Sequence, residues 1–150
     1  MPMTFSGTVS AVLAEKSADL HTIAPEETVY DAIRKMSDYN IGSLVVLADG
    51  QLKGVITERD YTRKVALKGK TSKETKVREI LTADVITVSP QATVEDCMRL
   101  MTHHRIRHLP VVGEKGEVVG IVSIGDLVNW IITAQHQTIQ QLTNYISGQY

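Results

Sequence analysis

Cysteine, phenylalanine and tryptophan each occur once in these 150 residues, and proline occurs four times. A single cysteine closes no internal disulfide, so nothing points to an oxidising compartment. Aromatic residues make up only 5% of a chain that is 43% hydrophobic, so any core must be built from Val, Ile, Leu, Met and Ala. That apolar share, with 22% charged residues, belongs to a folded globular protein rather than a disordered one. Neither sign of charge prevails, since 16 Lys plus Arg face 17 Asp plus Glu for a net charge of −1. Without a basic field there is little counterion release to drive binding, which makes nucleic acid an unlikely main partner. Long apolar runs are also lacking. The densest stretches, residues 44–48 and 127–134, fall well short of the roughly 18 residues of a membrane span, so no membrane partner is expected. The opening MPMTFSGTVSAVLAEK lacks the basic and apolar regions of a signal peptide. These absences predict a cytoplasmic protein of one domain, or of two small ones.

What the chain does have is a repeat. Shifted by 65, Thr22–Val46 lies over Thr87–Val111 with ten of 25 positions identical, where chance would give roughly one or two. With one more residue in the following turn, GVITERD (Gly54–Asp60) lies over GIVSIGD (Gly120–Asp126). A fainter echo sets Val77, Ile80 and Leu81 over Val9, Val12 and Leu13. The chain is a tandem duplication.

Both repeats have the same local plan. Thr28-x-x-Asp31 and Thr93-x-x-Asp96 fit helix capping boxes, with the hydroxyl accepting from a first-turn N–H. Behind them Val29, Ala32, Ile33 and Met36, and likewise Val94, Cys97, Met98 and Met101, fall at helical spacing. Short runs rich in β-branched residues follow, residues 44–47 and 109–112, too short for helices and suited to strands. A turn, a second strand (52–57 or 118–123) and a closing helix complete the unit. The expected fold class is α+β (α/β): two β-α-β-β-α units, each marginal alone, packed face to face about a pseudo-twofold axis. The expected divisions are residues 8–68, a connector at 69–76, residues 77–134, and a helical tail at 135–150. In the tail Ile139, Leu142 and Ile146 fall at helical spacing on a Gln-rich background, suited to packing on the body or on a second subunit.

The sharpest chemical signal is Gly-h-h-[Thr/Ser]-x-x-Asp (h, an apolar residue), at Gly54–Asp60 and again at Gly120–Asp126. A strand ends and a helix begins at the hydroxyl residue, and helix-start N–H groups suit an anion such as phosphate. A carboxylate one turn on can accept both hydroxyls of a ribose. The same spacing is also a capping box, as at Thr28 and Thr93. Its duplication behind a glycine-led strand favours a ligand site.

The whole pattern, over about residues 8–134, resembles the cystathionine-β-synthase (CBS) domain, and the pair resembles a Bateman module. The matching marks are Thr22-Ile23-Ala24-Pro25 and Thr87-Val88-Ser89-Pro90, the helix, the His108-Leu109-Pro110-Val111-Val112 strand, and both Gly-h-h-[Thr/Ser]-x-x-Asp turns. The resemblance implies a non-catalytic regulatory module. It would sense an adenosine-containing nucleotide in two clefts between the repeats, with AMP first and ADP, ATP, NAD or S-adenosylmethionine also in range. It also implies a homodimer that signals to an effector protein. Carried over residue by residue, one cleft would use Thr22, Ile23, Thr57 and Asp60, with Arg107 and His108 of the opposite repeat on phosphate. The other would use Thr87, Val88, Ser123 and Asp126, with Gly42 and Ser43 as uncharged equivalents and Arg59 or Arg63 within reach. Two unequal sites follow, the Arg107/His108 cleft being the stronger. The alternative is an interaction scaffold with vestigial clefts.

Other candidates carry less. His103, His104 and His108 divide between a helix end and a strand start, which suits solvated histidines better than a metal site. Cys97 lies on an apolar helix face and is expected in the core. Arg59–Arg78 holds eight of the 16 basic residues against Asp60 and Glu74, and is expected to be a solvated, flexible connector. No nucleophile elbow, P-loop or Cys-x-x-Cys is present, so the sequence offers no catalytic centre.

Overall fold

The computed structural model describes residues 7–16 and 19–146. The elements are α1 (Val9–Lys16), β1 (Thr22–Ile23), α2 (Val29–Tyr39), β2 (Ser43–Ala48), β3 (Gln51–Thr57) and α3 (Glu58–Tyr61), then α4 (Val77–Ile80), α5 (Val94–His104), β4 (His108–Val112), β5 (Val118–Ser123) and α6 (Ile124–Ile146). The two main helices start and stop by the same devices. Thr28 and Thr93 are extended residues whose hydroxyls accept from Asp31 N and Asp96 N, although only Thr93 forms the full reciprocal box. At the other end Asn40 and Arg105 adopt left-handed φ of 52° and 55° and cap the last carbonyls, so the repeat keeps the backbone where it has changed the residue. Between the caps, Val29, Ala32 and Met36 are buried, as are Val94, Cys97 and Met101.

Strands β2 and β3 form an antiparallel hairpin closed by Asp49 and Gly50, both at positive φ (53° and 74°). That pair is what a tight right-twisting hairpin asks for. Strands β4 and β5 pair the same way, and each hairpin has a register shift at the equivalent place, after Val46 and after Val111. The first strand differs between repeats. In the first, β1 runs parallel to β2 with Thr22 beside Val45, and Val45 N donates to His21 O. In the second, the strand expected at Thr87–Val88 is reduced to a single bridge, Val88 to Val111. Position 110 is proline where the first repeat has Val45. Proline has no N–H to donate to the backbone of Ile86, so the ladder loses a rung.

The closing helix also diverges, being one α-turn followed by a π-helical turn at Thr62–Ala66 in the first repeat and the 23-residue α6 in the second. The connector is not loose. Val29 N donates to Thr75 O, Tyr30 N donates to Ser72 O, and the buried Thr75 donates to Thr71 O at 2.7 Å. These bonds pin residues 71–75 against the start of α2, and Thr28 bridges to Lys76.

Each repeat borrows its leading helix from the other side. Val9 and Val12 of α1 are buried with Val94, Cys97, Met101, Leu109 and Val122 of the second repeat. Val77 and Ile80 of α4 are buried with Val29, Met36, Leu44 and Ile56 of the first. Backbone bonds repeat the exchange, with Val9 N to Ala92 O and Val77 N to Glu27 O. Burying a valine or isoleucine side chain stabilises by roughly 1.5–3 kcal/mol, so parting α1 from the second repeat would expose part of its core. Helix α6 packs its first half on α1, α5 and β5, and its second half leaves Ile139, Leu142 and Ile146 exposed. These three apolar side chains of the tail therefore do not pack on the body. Among the described residues, no helix is long and apolar enough to cross a membrane.

Candidate functional site

Thr57 ends β3 in an extended conformation, and α3 starts at the next residue. Its hydroxyl accepts from Asp60 N at 3.1 Å, while Asp60 Oδ2 accepts from Thr57 N at 3.0 Å and from Thr57 Oγ1 at 3.1 Å. The other oxygen, Oδ1, accepts from Thr82 Oγ1 at 3.2 Å and pairs with Lys64 Nζ at 3.0 Å. Lys64 also donates to Ile80 O at 3.0 Å. A carboxylate offers about four acceptor positions, and at Asp60 protein groups fill them. The residue is only 7% exposed. It clamps β3, the π-helical turn and the segment after α4 together.

The second turn has the same box and a different surround. Asp126 Oδ2 accepts from Ser123 N at 2.9 Å, and Ser123 Oγ accepts from Asp126 N at 3.1 Å. The third partner is Lys16, at the end of the exchanged helix α1, whose Nζ lies 2.9 Å from Oδ2 and also donates to Ile121 O at 3.1 Å. Asp126 Oδ1 carries no hydrogen bond among the described residues, and Asp126 borders a cavity of about 290 Å³ lined also by Val12, Glu15, Lys16, Asn129, Trp130 and Thr133. A larger hollow of about 530 Å³, between the end of α2 and the start of α3, includes Gly42 but neither carboxylate.

The starts of β2 and β4 face each other where the repeats meet. A methyl group on Gly42 would lie 3.8 Å from His108 Nε2. Ser43 pairs with Thr57 and His108 with Ser123, while Glu58 N donates to Gly42 O and Ile124 N to Arg107 O. Hydrogen bonding therefore sets Gly42 and Ser43 against the Asp60 turn, and Arg107 and His108 against the Asp126 turn. The crossed grouping implied by the resemblance is reached only through the Gly42–His108 approach. Burial holds the half-buried His108 below its usual value of 6.5; Lys16 and Arg107 push the same way and Asp126 opposes them. Burial and two neighbouring basic side chains thus favour the neutral ring.

The remaining expected residues are dispersed. Thr22 is half-buried on β1 with its carbonyl held by Lys35 Nζ. Ile23 and Val88 are 4% and 8% exposed and belong to the two cores, leaving them little surface to line a cleft. Thr87, Arg59, Arg63 and Arg107 are exposed. Reading the sequence missed Lys16, Lys64 and Thr82, which complete the two turns. The one signal that could have found two of them was the faint echo of residues 77–81 in 9–13, which marks the segments leading to Thr82 and Lys16. Cys97 is fully buried in the core, and burial together with Asp96 pushes its thiol up to about 11. His103 and His104 stack edge to face at the end of α5. Among the described residues no group of three His, Cys, Asp or Glu side chains is placed to hold a metal ion.

Known proteins share this sequence pattern and this fold. The family model for the CBS domain matches twice, over residues 9–67 and 77–133. The mitochondrial CBS domain-containing protein CBSX3 of Arabidopsis thaliana is 44% identical, over 97% of this chain and 74% of that protein. A crystallised CBS-domain protein of Burkholderia ambifaria, described as a candidate signal-transduction protein, is 43% identical. It superposes with a TM-score of 0.81 over 86% of this chain and 96% of that one. A hexameric CBS-CP12 protein from bloom-forming cyanobacteria is 28% identical with a TM-score of 0.73, over 83% and 68% of the two chains.

Proposed function

The chain belongs to the CBS-domain family and carries that domain as a tandem pair, a regulatory and signal-transduction module; from this we propose that it senses an adenosine-containing nucleotide at the junction of its repeats, AMP first, ADP, ATP or NAD by the same contacts, and S-adenosylmethionine, which has no phosphate, by the adenosine contacts alone. The observation that carries the reading is the half-satisfied carboxylate of Asp126. Its Oδ1 takes no hydrogen bond among the described residues, the residue lines a cavity with Lys16 and Glu15, and the charges of Lys16, Arg107 and Asp126 all act on the nearby His108. Ribose hydroxyls can donate to that oxygen, and a phosphate can be met by the three cationic or titratable groups. Ser123 and Thr87, with the edge of Val88, belong to this cleft in the proposal, and Gly42, Ser43, Arg59 and Arg63 of the Asp60 side would come to it only across the Gly42–His108 approach. Thr22, Ile23, Thr57 and Asp60 form the second, weaker one, because Asp60 has no acceptor position left for ribose. The module works without catalysis: a nucleotide that prefers one arrangement of the repeats shifts the population that an effector protein reads.

The test is a thermal-shift screen of AMP, ADP, ATP, NAD, S-adenosylmethionine and GMP. A ligand at 100 times its dissociation constant adds about 2.7 kcal/mol, a rise of roughly 5–10 °C for a chain of this size. The expected result is a shift with adenine ligands, none with GMP, and loss of most of it in Asp126→Asn but not in Asp60→Asn. No shift with any ligand, and no nucleotide released from the denatured protein, would replace this reading with the interaction scaffold. The filled Asp60 clamp and the Lys16 contact on Asp126 favour that second reading.

A pH dependence follows from His108. Its folded value is lowered, so the native state binds fewer protons than the unfolded chain just below pH 6.5. The stability from keeping the ring neutral is complete above pH 6.5 and is lost as pH falls through the lowered folded value. A phosphate beside the ring works in the opposite sense, raising its proton affinity. AMP binding is therefore expected to take up a proton and to tighten as pH falls from 8 towards 6.5. Calorimetry in two buffers of different ionisation heat measures the uptake, and His108→Gln should abolish it.

A further inference from the structure

We propose that residues 132–146 of α6 form one strand of a parallel two-helix coiled coil with a second copy of this chain. Isoleucine recurs with a period of seven, at Ile132, Ile139 and Ile146, and Leu142 and Gln135 fall midway. That spacing places isoleucine at every a position and leucine or glutamine at d, the choice that favours parallel two-stranded pairing. The stripe is unpartnered in the monomer, with Ile139 62%, Leu142 58% and Ile146 84% exposed. It spans about 22 Å of helix.

The occupant follows from charge and area. From Leu127 to Ile146 there is no Asp, Glu, Lys or Arg. A helix lying on an anionic membrane needs basic residues along its polar face, and this one has none. A charged partner helix finds nothing to pair with, whereas two copies meet without like-charge repulsion. Pairing would cover roughly 1,000 Å² of apolar surface from the exposed parts of these isoleucines and Leu142, and flanking residues such as His136 raise this towards the 1,200 Å² of the smallest specific interfaces. The same stripe left bare would leave an amphipathic helix with no packing to stabilise its last three turns.

The test uses the full chain with a cysteine introduced at one position of α6 and mild oxidation before a non-reducing gel. Identical d positions in a parallel pair lie within the 4.4–6.8 Å Cα separation a disulfide accepts, and f positions do not. Gln135→Cys and Leu142→Cys are d positions, and Gln137→Cys is an f position on the opposite face. Buried Cys97 contributes little background. The expected result is at least tenfold more linked dimer from Gln135→Cys and Leu142→Cys than from Gln137→Cys, and loss of the Gln135→Cys link when Ile139→Asp is added. Gln135→Cys leaves every apolar residue of the seam in place, so its outcome does not depend on a weakened pair. Equal linking at all three positions, or none at Gln135→Cys, overturns the proposal, whether the chain is then monomeric, antiparallel or joined through another face.

Discussion

Gly54→Ala should lower the unfolding free energy by about 4 kcal/mol, combining a steric clash with backbone strain, while its repeat counterpart Gly120→Ala should cost only about 1 kcal/mol. A Cβ on Gly54 would sit 2.3 Å from Thr82 O and 2.8 Å from Leu81 Cδ1, with φ at +157°. The nearest obstacle is backbone, and it is held in place, because Val55 N donates to Thr82 O and Thr82 N donates back to Val55 O. At Gly120 the obstacles are the two end methyls of Leu13, both 2.9 Å away, and a leucine side chain can rotate where a hydrogen-bonded carbonyl cannot. For a domain of this length each kcal/mol moves the melting temperature by about 2–4 °C. Differential scanning calorimetry should therefore show a drop of roughly 8–16 °C for Gly54→Ala and a few degrees for Gly120→Ala. Equal drops would mean that the close approach of Thr82 to β3 is not what the first glycine serves.

Both glycines were visible in the sequence as the head of a duplicated motif, and the need for a close approach could be stated from the motif alone. What approaches could not. Thr82 reaches Gly54 from the end of α4, and Leu13 reaches Gly120 from α1, across the exchange of leading helices. Sequence periodicity carries local information, so it yielded the capped helices, the Asp49-Gly50 hairpin and the strand runs. The exchange depends on which of two nearly equivalent cores each short helix enters, and both helices offer the same two or three apolar residues. Loop length and the packing of particular side chains decide it, and neither has a period.

The site was legible to the same depth. Thr57, Asp60, Ser123 and Asp126 are brought together as capping pairs because three-residue spacing at a helix start allows little else. Lys16 lies 110 residues from Asp126 in sequence, and no pattern links them. The loss of the second repeat's first strand was within reach, since Pro110 in place of Val45 removes a ladder donor. The π-helical turn at Thr62–Ala66 has no comparable signal in the residues. Its consequence is concrete: the turn carries Lys64, whose Nζ reaches both Asp60 and Ile80 O.

That clamp sets the second large expectation. Asp60→Ala should cost about 2–3 kcal/mol, where Asp126→Ala should cost about 1 kcal/mol, the worth of a helix cap. The difference is what Asp60 holds beyond its cap. Without the carboxylate of the buried Asp60, the Thr82 hydroxyl and Lys64, both on exposed residues, lose their partner. Water can replace the partner of Thr82, so that loss is the net worth of one hydrogen bond, about 0.5–1.5 kcal/mol on top of the cap. Lys64 is itself 45% exposed, so water recovers much of its charge and the loss stays below that of a fully buried pair. Chemical denaturation should show the midpoint falling at constant slope for both variants, further for Asp60→Ala. Asp60→Asn keeps an acceptor for the cap and for Thr82, and should recover at least half of the loss. The ordering bears on function as well as stability. If Asp60→Ala loses nucleotide binding while Asp60→Asn keeps it, the effect runs through the clamp and the packing of α4 rather than through contact with ribose. If Asp126→Asn loses binding with its stability nearly intact, the carboxylate beside the cavity is the one that meets the ligand. A result in which Asp60→Ala and Asp126→Ala destabilise equally would show that the four-way coordination of Asp60 adds nothing to its cap, and would return the two clefts to equal standing.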